Sequence, residues 1–298
     1  EILKKDGSTR KLGIPTMRDR IAQQVVKDYM EKRIDNKFHE NSYGYRPMKS
    51  SHEALRQVRK NVLEKDWVVD LDISKFFDEI DHELMLKAVE AMMEEKWVKM
   101  YVKRWLEMKV QLVNGQIEEH RGTGTPQGGV ISPLLANLYL HYSLDQWLEQ
   151  HYPTVSFVRY ADDIVLHCDT EKEAQDLLGA VKDRLTQVKL RLNEAKTKIV
   201  YCRDYRRKAL HDKTQFGFLG FSFHPRQAQS KVIAGSSYIA FTGEISRENQ
   251  QRIRDEIREC VPWRNTTLEP EAIAAKLNNK LRGWIAYFGL FRKRTLRD

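Results

Sequence analysis

The sequence predicts an α+β fold, and three observations carry that expectation. Segments with strand-like and helix-like apolar spacing follow one another without βαβ regularity, which argues against a doubly wound sheet. Hydrophobic residues make up 41% of the 298 residues and charged residues 31%, so a core is available and a disordered or collagen-like chain is excluded. No repeat, low-complexity tract or Gly/Ser linker cuts the chain. At roughly 100–200 residues per domain, the length fits two domains or one with lobes.

Taken in order, Asp6-Gly7 lies between two short basic segments and reads as a hairpin turn. Thr16 caps a helix whose Ile21, Val25, Tyr29 and Met30 share an inward face. A second helix starts at Ser50 or Ser51 and turns Leu55, Val58 and Val62 inward. Trp67 to Ile73 reads as a strand ending at a Phe-rich turn, and helices follow from about Glu83 and Glu95. Asn114-Gly115 marks a hairpin within Val110 to Arg121. Ser132 as N-cap and Pro133 behind it open a long helix to about Gln150. Its apolar run from Pro133 to Leu140 is interrupted by Asn137 and Tyr139. Ser156 to Tyr160 and Ile164 to Cys168 are short strands joined at Ala161-Asp162-Asp163, and a helix runs from Thr170 to about Val188. Phe216 to Phe223 reads as one apolar strand; Arg247 to Cys260 and Pro270 to Phe288 read as amphipathic helices.

No run reaches the ~18 apolar residues of a membrane span. Cys168, Cys202 and Cys260 are widely spaced, give neither a disulfide framework nor a zinc pattern, and suit a reducing cytoplasm; Cys168 reads as a small buried residue. The chain starts at Glu1 with no signal-peptide pattern, as expected of part of a longer protein. The net charge is 51 − 42 = +9. Residues 182–213 hold 11 basic and 4 acidic side chains, and residues 1–20 hold 6 and 3. Such clustering is the expected footprint of phosphate neutralisation, with a solvated helix face as the alternative.

Two adjacent carboxylates, Asp162 and Asp163, sit in a tight turn between apolar strands, where Asp-Gly or Asn-Gly would serve stability better. Hard oxygen ligands of this kind suit Mg²⁺ together with substrate phosphates. Asp72 ends another apolar strand; brought beside the hairpin it would complete a two-metal site for in-line displacement at phosphorus. Asp70 shares its face and could compete for that role, but its place deeper in the strand favours a structural part such as a salt bridge. The glycine-rich segment Gly122 to Gly129 is not a phosphate loop: it lacks G-x-G-x-x-G, and Val130 follows Gly129 where a P-loop needs Lys. It leaves a close-approach backbone carrying the Gln127 amide ahead of a helix.

Together these residues resemble the reverse transcriptase domain of bacterial group II intron-encoded proteins, the intron maturases. The matching segments are KKDGSTRKLGIPTMRDR (Lys4 to Arg20), NSYGYRP (Asn41 to Pro47), VVDLDISKFFDEIDH (Val68 to His82), GTPQGGVISPLLANLYL (Gly124 to Leu140), RYADD (Arg159 to Asp163), LRLNEAKTK (Leu190 to Lys198) and FGFLGFSF (Phe216 to Phe223), in family order. LNNKLRGWIAYF (Leu277 to Phe288) resembles the start of the maturase thumb.

The resemblance implies a right-hand polymerase with an antiparallel palm sheet: fingers at 1–66, palm at 67–240 with about 95–130 returning to the fingers, and a partial helical thumb at 241–298. It implies an RNA-directed DNA polymerase using two Mg²⁺ ions, with Mn²⁺ as substitute, on Asp72, Asp162, Asp163 and the Ile73 carbonyl. Lys196 would protonate pyrophosphate, Lys4 and Arg10 would hold the triphosphate, and Gln127 with Gly128 would contact the nucleotide. Phe77 would be the steric gate against ribose, and Phe218-Leu219-Gly220 the primer grip. Each has a structural alternative: core for Phe77, a backbone-bonded loop amide for Gln127, solvated surface for Lys4 and Lys196. Arg46 stays open between salt bridge and template contact, and Tyr43 and Tyr45 between base stacking and filling the fingers. Implied partners are an RNA template, a DNA primer, deoxynucleoside triphosphates and intron RNA, in a bacterial cytoplasm without membrane, with a homodimer as one option. The alternatives are an RNA-binding maturase with little polymerase activity, or a reverse transcriptase of a CRISPR or phage-defence system. Segments that family members carry before the Lys4 region and after the thumb are not in this sequence, which bears on processivity, strand invasion and endonuclease activity.

Overall fold

The structure, a computed structural model, describes residues 2–3, 9–10, 12–112, 114–119, 122–125, 128–229, 236–260 and 269–291. Strands β1 (Ile2–Leu3) and β2 (Thr9–Arg10) pair antiparallel; the Asp6-Gly7 turn lies outside the described residues. Helix α1 (Met17–Ile34) begins at Thr16, whose hydroxyl accepts from the Asp19 amide at 3.2 Å, an N-cap that satisfies one of the helix's orphan donors. Its buried face corrects the expected one. Gln23, Val26, Met30 and Ile34 point inward, while Ile21 and Val25 are each 62% exposed. Both sets have helical spacing, and the deciding residue is polar: the buried Gln23 Oε1 accepts from the amides of Val130 at 2.7 Å and Ile131 at 3.4 Å.

Helix α2 (Ser51–Glu64) buries Leu55, Val58 and Val62 as its spacing predicts. After β3 (Trp67–Asp72) come a single turn α3 (Phe76–Glu79), α4 (His82–Met92) and α5 (Lys96–Leu106), with Asp81 capping α4 through the Leu84 amide. Strands β4 (Val110–Gln111) and β5 (Ile117–Glu118) flank Asn114-Gly115, with Gly115 at φ 83° as the turn requires. The expected single helix from Ser132 is three pieces: α6 (Ser132–Leu140), a π-helical turn (His141–Asp145) and α7 (Gln146–His151). Ser132 is not its cap. The cap position is Ile131, which makes no side-chain cap bond; its amide and that of Val130 donate to Gln23 of α1.

Strands β6 (Ser156–Tyr160) and β7 (Asp163–Cys168) form the expected hairpin, followed by α8 (Glu171–Gln187) and β8 (Lys198–Tyr201). The expected strand Phe216 to Phe223 is two strands, β9 (Phe216–Phe218) and β10 (Phe221–Gln229), folded back at Leu219-Gly220 with φ 48° and 80°. A run apolar but for Ser222 hid that turn. Strand β11 (Ser237–Ile245) pairs along β10, and α9 (Arg247–Cys260) and α10 (Pro270–Phe288) take the expected spans. Strand order is β6-β7-β3-β8 in one sheet and β11-β10-β9 in another, with β1-β2 and β4-β5 as ribbons.

The chain divides into two compact units. One comprises Glu1–Ser50, Leu71–Leu166 and Gln175–Thr197, the other Ser51–Asp70, His167–Ala174 and Lys198–Asp298. In the first, Met30, Ile34, Met85, Val89, Val102, Leu138, Val158 and Val165 are buried. In the second, Phe216 stacks on Phe223 at 5.0 Å and on Phe241 at 6.1 Å. Cys168 and Cys202 are buried free thiols. Among the described residues no helix is long and apolar enough to cross a membrane.

Candidate active site

The β6–β7 turn is Ala161-Asp162, with Asp163 opening β7. Ala161 takes the left-handed conformation at φ 57°, unusual for a residue with a Cβ. A loop from the Asn41 to Pro47 segment grips this hairpin. The Tyr43 amide donates to Arg159 O at 2.8 Å, and the Arg159 amide donates to Asn41 O at 2.9 Å. Gly44 lies so close that a Cβ there would be 2.4 Å from the Ala161 nitrogen. Its carbonyl accepts from the buried Asn137 side chain at 2.6 Å. Glycine is present because the hairpin backbone fills the space a side chain would need.

Asp72 is the last residue of β3, the hydrogen-bonded neighbour of β7. The segment after α8 fixes it. Ser74 donates its amide to Arg191 O at 2.8 Å, Asn193 donates to Asp72 O at 2.8 Å, and the Asp72 amide donates to Thr197 Oγ1 at 3.2 Å. Ile73, buried, bridges Leu192. This lacing brings Lys196 Nζ to 4.0 Å from Asp72 Oδ2, with the two side chains 61% and 41% exposed. Asp70 pairs with Lys198 at 3.6 Å, the salt bridge expected of it.

Phe76 is buried and packs edge-on to Tyr139, whereas Phe77 is half-exposed and its carbonyl accepts from the Thr125 amide at 2.8 Å. Gly128, at φ 107°, meets another close approach: a Cβ would be 2.2 Å from Gly13 O. Lys4 and Gln127 lie outside the described residues; Arg10 is in β2, and its side chain is likewise outside them. Phe218-Leu219-Gly220 belongs to the second unit. There the Tyr287 hydroxyl donates to Leu219 O at 2.9 Å and Asn249 Nδ2 donates to Gly220 O at 3.0 Å, so side chains of α9 and α10 hold the turn.

Carboxylates on neighbouring strands are the right donor chemistry for a hard divalent cation. Among the described residues, however, no three His, Cys, Asp or Glu side chains are gathered closely enough to hold a metal ion as they stand. Burial pushes the Tyr160 hydroxyl above its ordinary range, aided by the neighbouring Tyr45.

The structure bears on two open readings. Arg46 is structural, donating to Asp35 Oδ1, Asp35 O, His39 O and Ser42 O at 2.7–2.8 Å. Tyr43 is buried filling, while Tyr45 is exposed. The basic cluster at 182–213 is corrected in detail: Arg207 is buried and donates to Val62 O, Lys65 O and Asp204 at 2.6–2.9 Å, so it holds a loop and is closed to phosphate. Gly44, Asn137 and Thr197 had no role in the sequence reading. For Asn137 the signal was present, as an amide interrupting the most apolar run of the chain.

Residues 2–223 match the family described as reverse transcriptase (RNA-dependent DNA polymerase), and residues 250–298 match the group II intron, maturase-specific domain. Protein YkfC of Escherichia coli is 32% identical over 244 residues, covering 68% of this chain and 62% of that protein. The group II intron-encoded protein LtrA of Lactococcus lactis is 36% identical over 141 residues, 47% of this chain and 23% of that one. Thus the chain spans less than two thirds of either relative. Telomerase from Candida albicans, solved with a fragment of telomeric RNA, is similar at a TM-score of 0.53 and 12% identity, over 91% of this chain and 47% of that chain. Apo telomerase from Candida tropicalis gives 0.51 and 13%, over 69% and 44%. These likenesses are of fold, the right-hand polymerase. The chain belongs to the reverse transcriptase family, and its residues 250–298 belong to the maturase-specific domain of group II introns.

Proposed function

We propose that the chain is the catalytic part of an RNA-directed DNA polymerase of the group II intron type, extending a primer 3′ end along an RNA template. The observation that carries the reading is the placement of Asp72 at the end of β3, beside β7, with Asp162-Asp163 at the mouth of that strand and Lys196 within 4.0 Å of Asp72. In this reading fingers, palm and thumb are 1–66, 67–240 and 241–298. Asp72, Asp162, Asp163 and the Ile73 carbonyl would hold two Mg²⁺ ions, or Mn²⁺ in their place. Bound there, such ions would activate the primer hydroxyl and neutralise charge on the leaving pyrophosphate.

The remaining steps belong to the chain. The 3′-hydroxyl gives up its proton to solvent as its oxygen bonds to the α-phosphorus, the bond from the α-phosphorus to the α–β bridging oxygen breaks, and the Lys196 ammonium hands a proton to the departing pyrophosphate. Lys4 and Arg10 hold the triphosphate, and Gln127 and Gly128 contact the nucleotide. Phe77 closes the space a ribose 2′-hydroxyl would need, and Phe218-Leu219-Gly220 bears on the primer. Intron RNA as a partner is supported by the match at 250–298, where α9 carries Arg252, Arg254 and Arg258 and buries none of its side chains.

Primer extension on RNA and DNA templates with Mg²⁺ tests the reading, beside filter binding of structured intron RNA. Asp72→Asn or Asp162→Asn should lower extension by about 10²-fold or more, a loss of at least ~3 kcal/mol of transition-state stabilisation. RNA affinity should hardly change. Near-normal extension by either variant would refute the assignment.

A further inference from the structure

Two residues before Ala161 lies Arg159, a fully buried cation on β6. Its Nε donates to Asp145 Oδ1 at 2.8 Å and Nη2 donates to Asp145 Oδ2 at 2.5 Å, a bidentate pair with both side chains at 0% exposure. The remaining nitrogen, Nη1, donates to Asn137 Oδ1 at 2.9 Å and to Ala161 O at 3.2 Å. Four donor contacts thus engage the planar fork, and one falls on the carbonyl of the left-handed turn residue.

The helix opposite is shaped to permit this. Asn137 and Asp145 are eight residues apart, and eight residues of plain α-helix turn roughly 800°, leaving the second side chain about 80° away from the first. Between them lies the π-helical turn, where the Gln146 amide donates to His141 O across five residues. That widened turn absorbs the extra residue and returns Asp145 to the face of Asn137. A buried ion pair is weak evidence for stability, since apolar side chains of like volume often serve as well. What apolar side chains cannot do is fix the Ala161 carbonyl.

We infer that Asp145 and Arg159, set by the π-helical turn, are positioning residues for the Asp162-Asp163 turn. Asp145 orients the guanidinium, Arg159 locks the Ala161 carbonyl, and the left-handed backbone aims the two carboxylates that follow. Asn137 ties the same fork to Gly44 O, so the helix, the loop and the hairpin share one polar junction. This rests on the reading of Asp162 and Asp163 as catalytic.

The test compares the parent chain with the double variant Arg159→Met/Asp145→Leu and with Arg159→Lys, which keeps a cation but loses the fork. Melting temperature, template–primer affinity, extension rate at saturating nucleotide, nucleotide half-saturation, and amide exchange across residues 157–166 are measured. Melting temperature, affinity and half-saturation should stay close to the parent, while the rate falls about 10-fold or more and the turn amides exchange faster. A folded variant that extends at the parent rate with parent-like exchange overturns the inference. Should the double variant fail to fold, Arg159→Lys decides alone. Should the parent not extend primers, the catalytic reading fails, and the exchange comparison still decides whether the pair holds the turn.

Discussion

Gly44→Ala tests the grip on the hairpin by adding a single methyl group. The new Cβ would lie 2.4 Å from the Ala161 nitrogen, 2.9 Å from the Tyr160 carbonyl carbon and 3.2 Å from Tyr160 Cδ1. Comfortable non-bonded separations are about 3.5–4.0 Å between carbons, so loop or hairpin must retreat by about 1 Å. Neither retreat is free. Moving the loop stretches the Tyr43–Arg159 backbone bond of 2.8 Å and the Asn137–Gly44 bond of 2.6 Å, whereas moving the hairpin carries Asp162 with it. Overpacking of this kind costs about 1–3 kcal/mol. At roughly 2–4 °C per kcal/mol for chains of 150–250 residues, melting should fall by several degrees. Rate should suffer more, because a misplacement of about 1 Å can cost 10²-fold. Gly179→Ala is the control: it lies within α8 with nothing within 4 Å of the new Cβ, and should be neutral or stabilising by up to about 1 kcal/mol. Single-turnover extension and thermal unfolding of both variants provide the readout. If Gly44→Ala melts and extends like the parent, the loop does not constrain the hairpin and the reasoning fails.

Phe77→Val should admit ribonucleotides with a modest loss of deoxynucleotide rate, whereas Phe76→Val should cost about 2 kcal/mol or more of stability; single-turnover incorporation of both nucleotide types, with urea unfolding, separates them. Changing the exposed Lys208 and Lys213 together to Ala should flatten the log–log salt dependence of duplex binding by about 1–2 units if each touches a phosphate, as filter binding across salt concentrations will read. Arg207→Ala should instead destabilise by about 3 kcal/mol in urea, because it leaves the Asp204 carboxylate short of its buried partner. Burial by itself would raise the Asp204 carboxyl, but Arg207, Arg206 and their amides hold it down at about 2. With an unfolded value near 3.9, its stabilisation is fully present above about pH 5 and is lost as pH falls toward 2. Asp204→Asn should remove that part of the acid dependence, measurable by urea unfolding between pH 5 and 2.

Elements whose faces are set by their own spacing were legible, and those set by a distant partner were not. Helix α2 buries Leu55, Val58 and Val62 because nothing competes with its apolar stripe. In α1 two apolar stripes compete, and the choice falls to Gln23, which serves amides more than a hundred residues away. Phe216 to Phe223 is apolar but for Ser222, so period and polarity offered no sign of the Leu219-Gly220 turn beyond the glycines at 217 and 220. At the candidate site, the hairpin that carries Asp162 and Asp163 and the strand that ends at Asp72 were legible. Their supports were less so, since a π-helical turn and a bond from Arg159 to a carbonyl leave no compositional trace.

The basic segment after α8 gains a different meaning from its partners. Lys189 donates to Asp81 at 2.8 Å, Arg191 pairs with Glu79, and Lys198 faces Asp70 at 3.6 Å. All three acids come from the stretch around Asp72, where carboxylates at 70, 72, 78, 79 and 81 would otherwise repel one another. Lysines and arginines counted in the sequence as a phosphate-binding patch are therefore in part counter-charge for the acidic segment of the site. Lys196 completes the series, and its distance to Asp72, 4.0 Å, is the longest of these four. At that separation and exposure the attraction is weak, on the order of 1 kcal/mol in water. Of these four acids Asp72 is thus the one whose counter-charge is most loosely held.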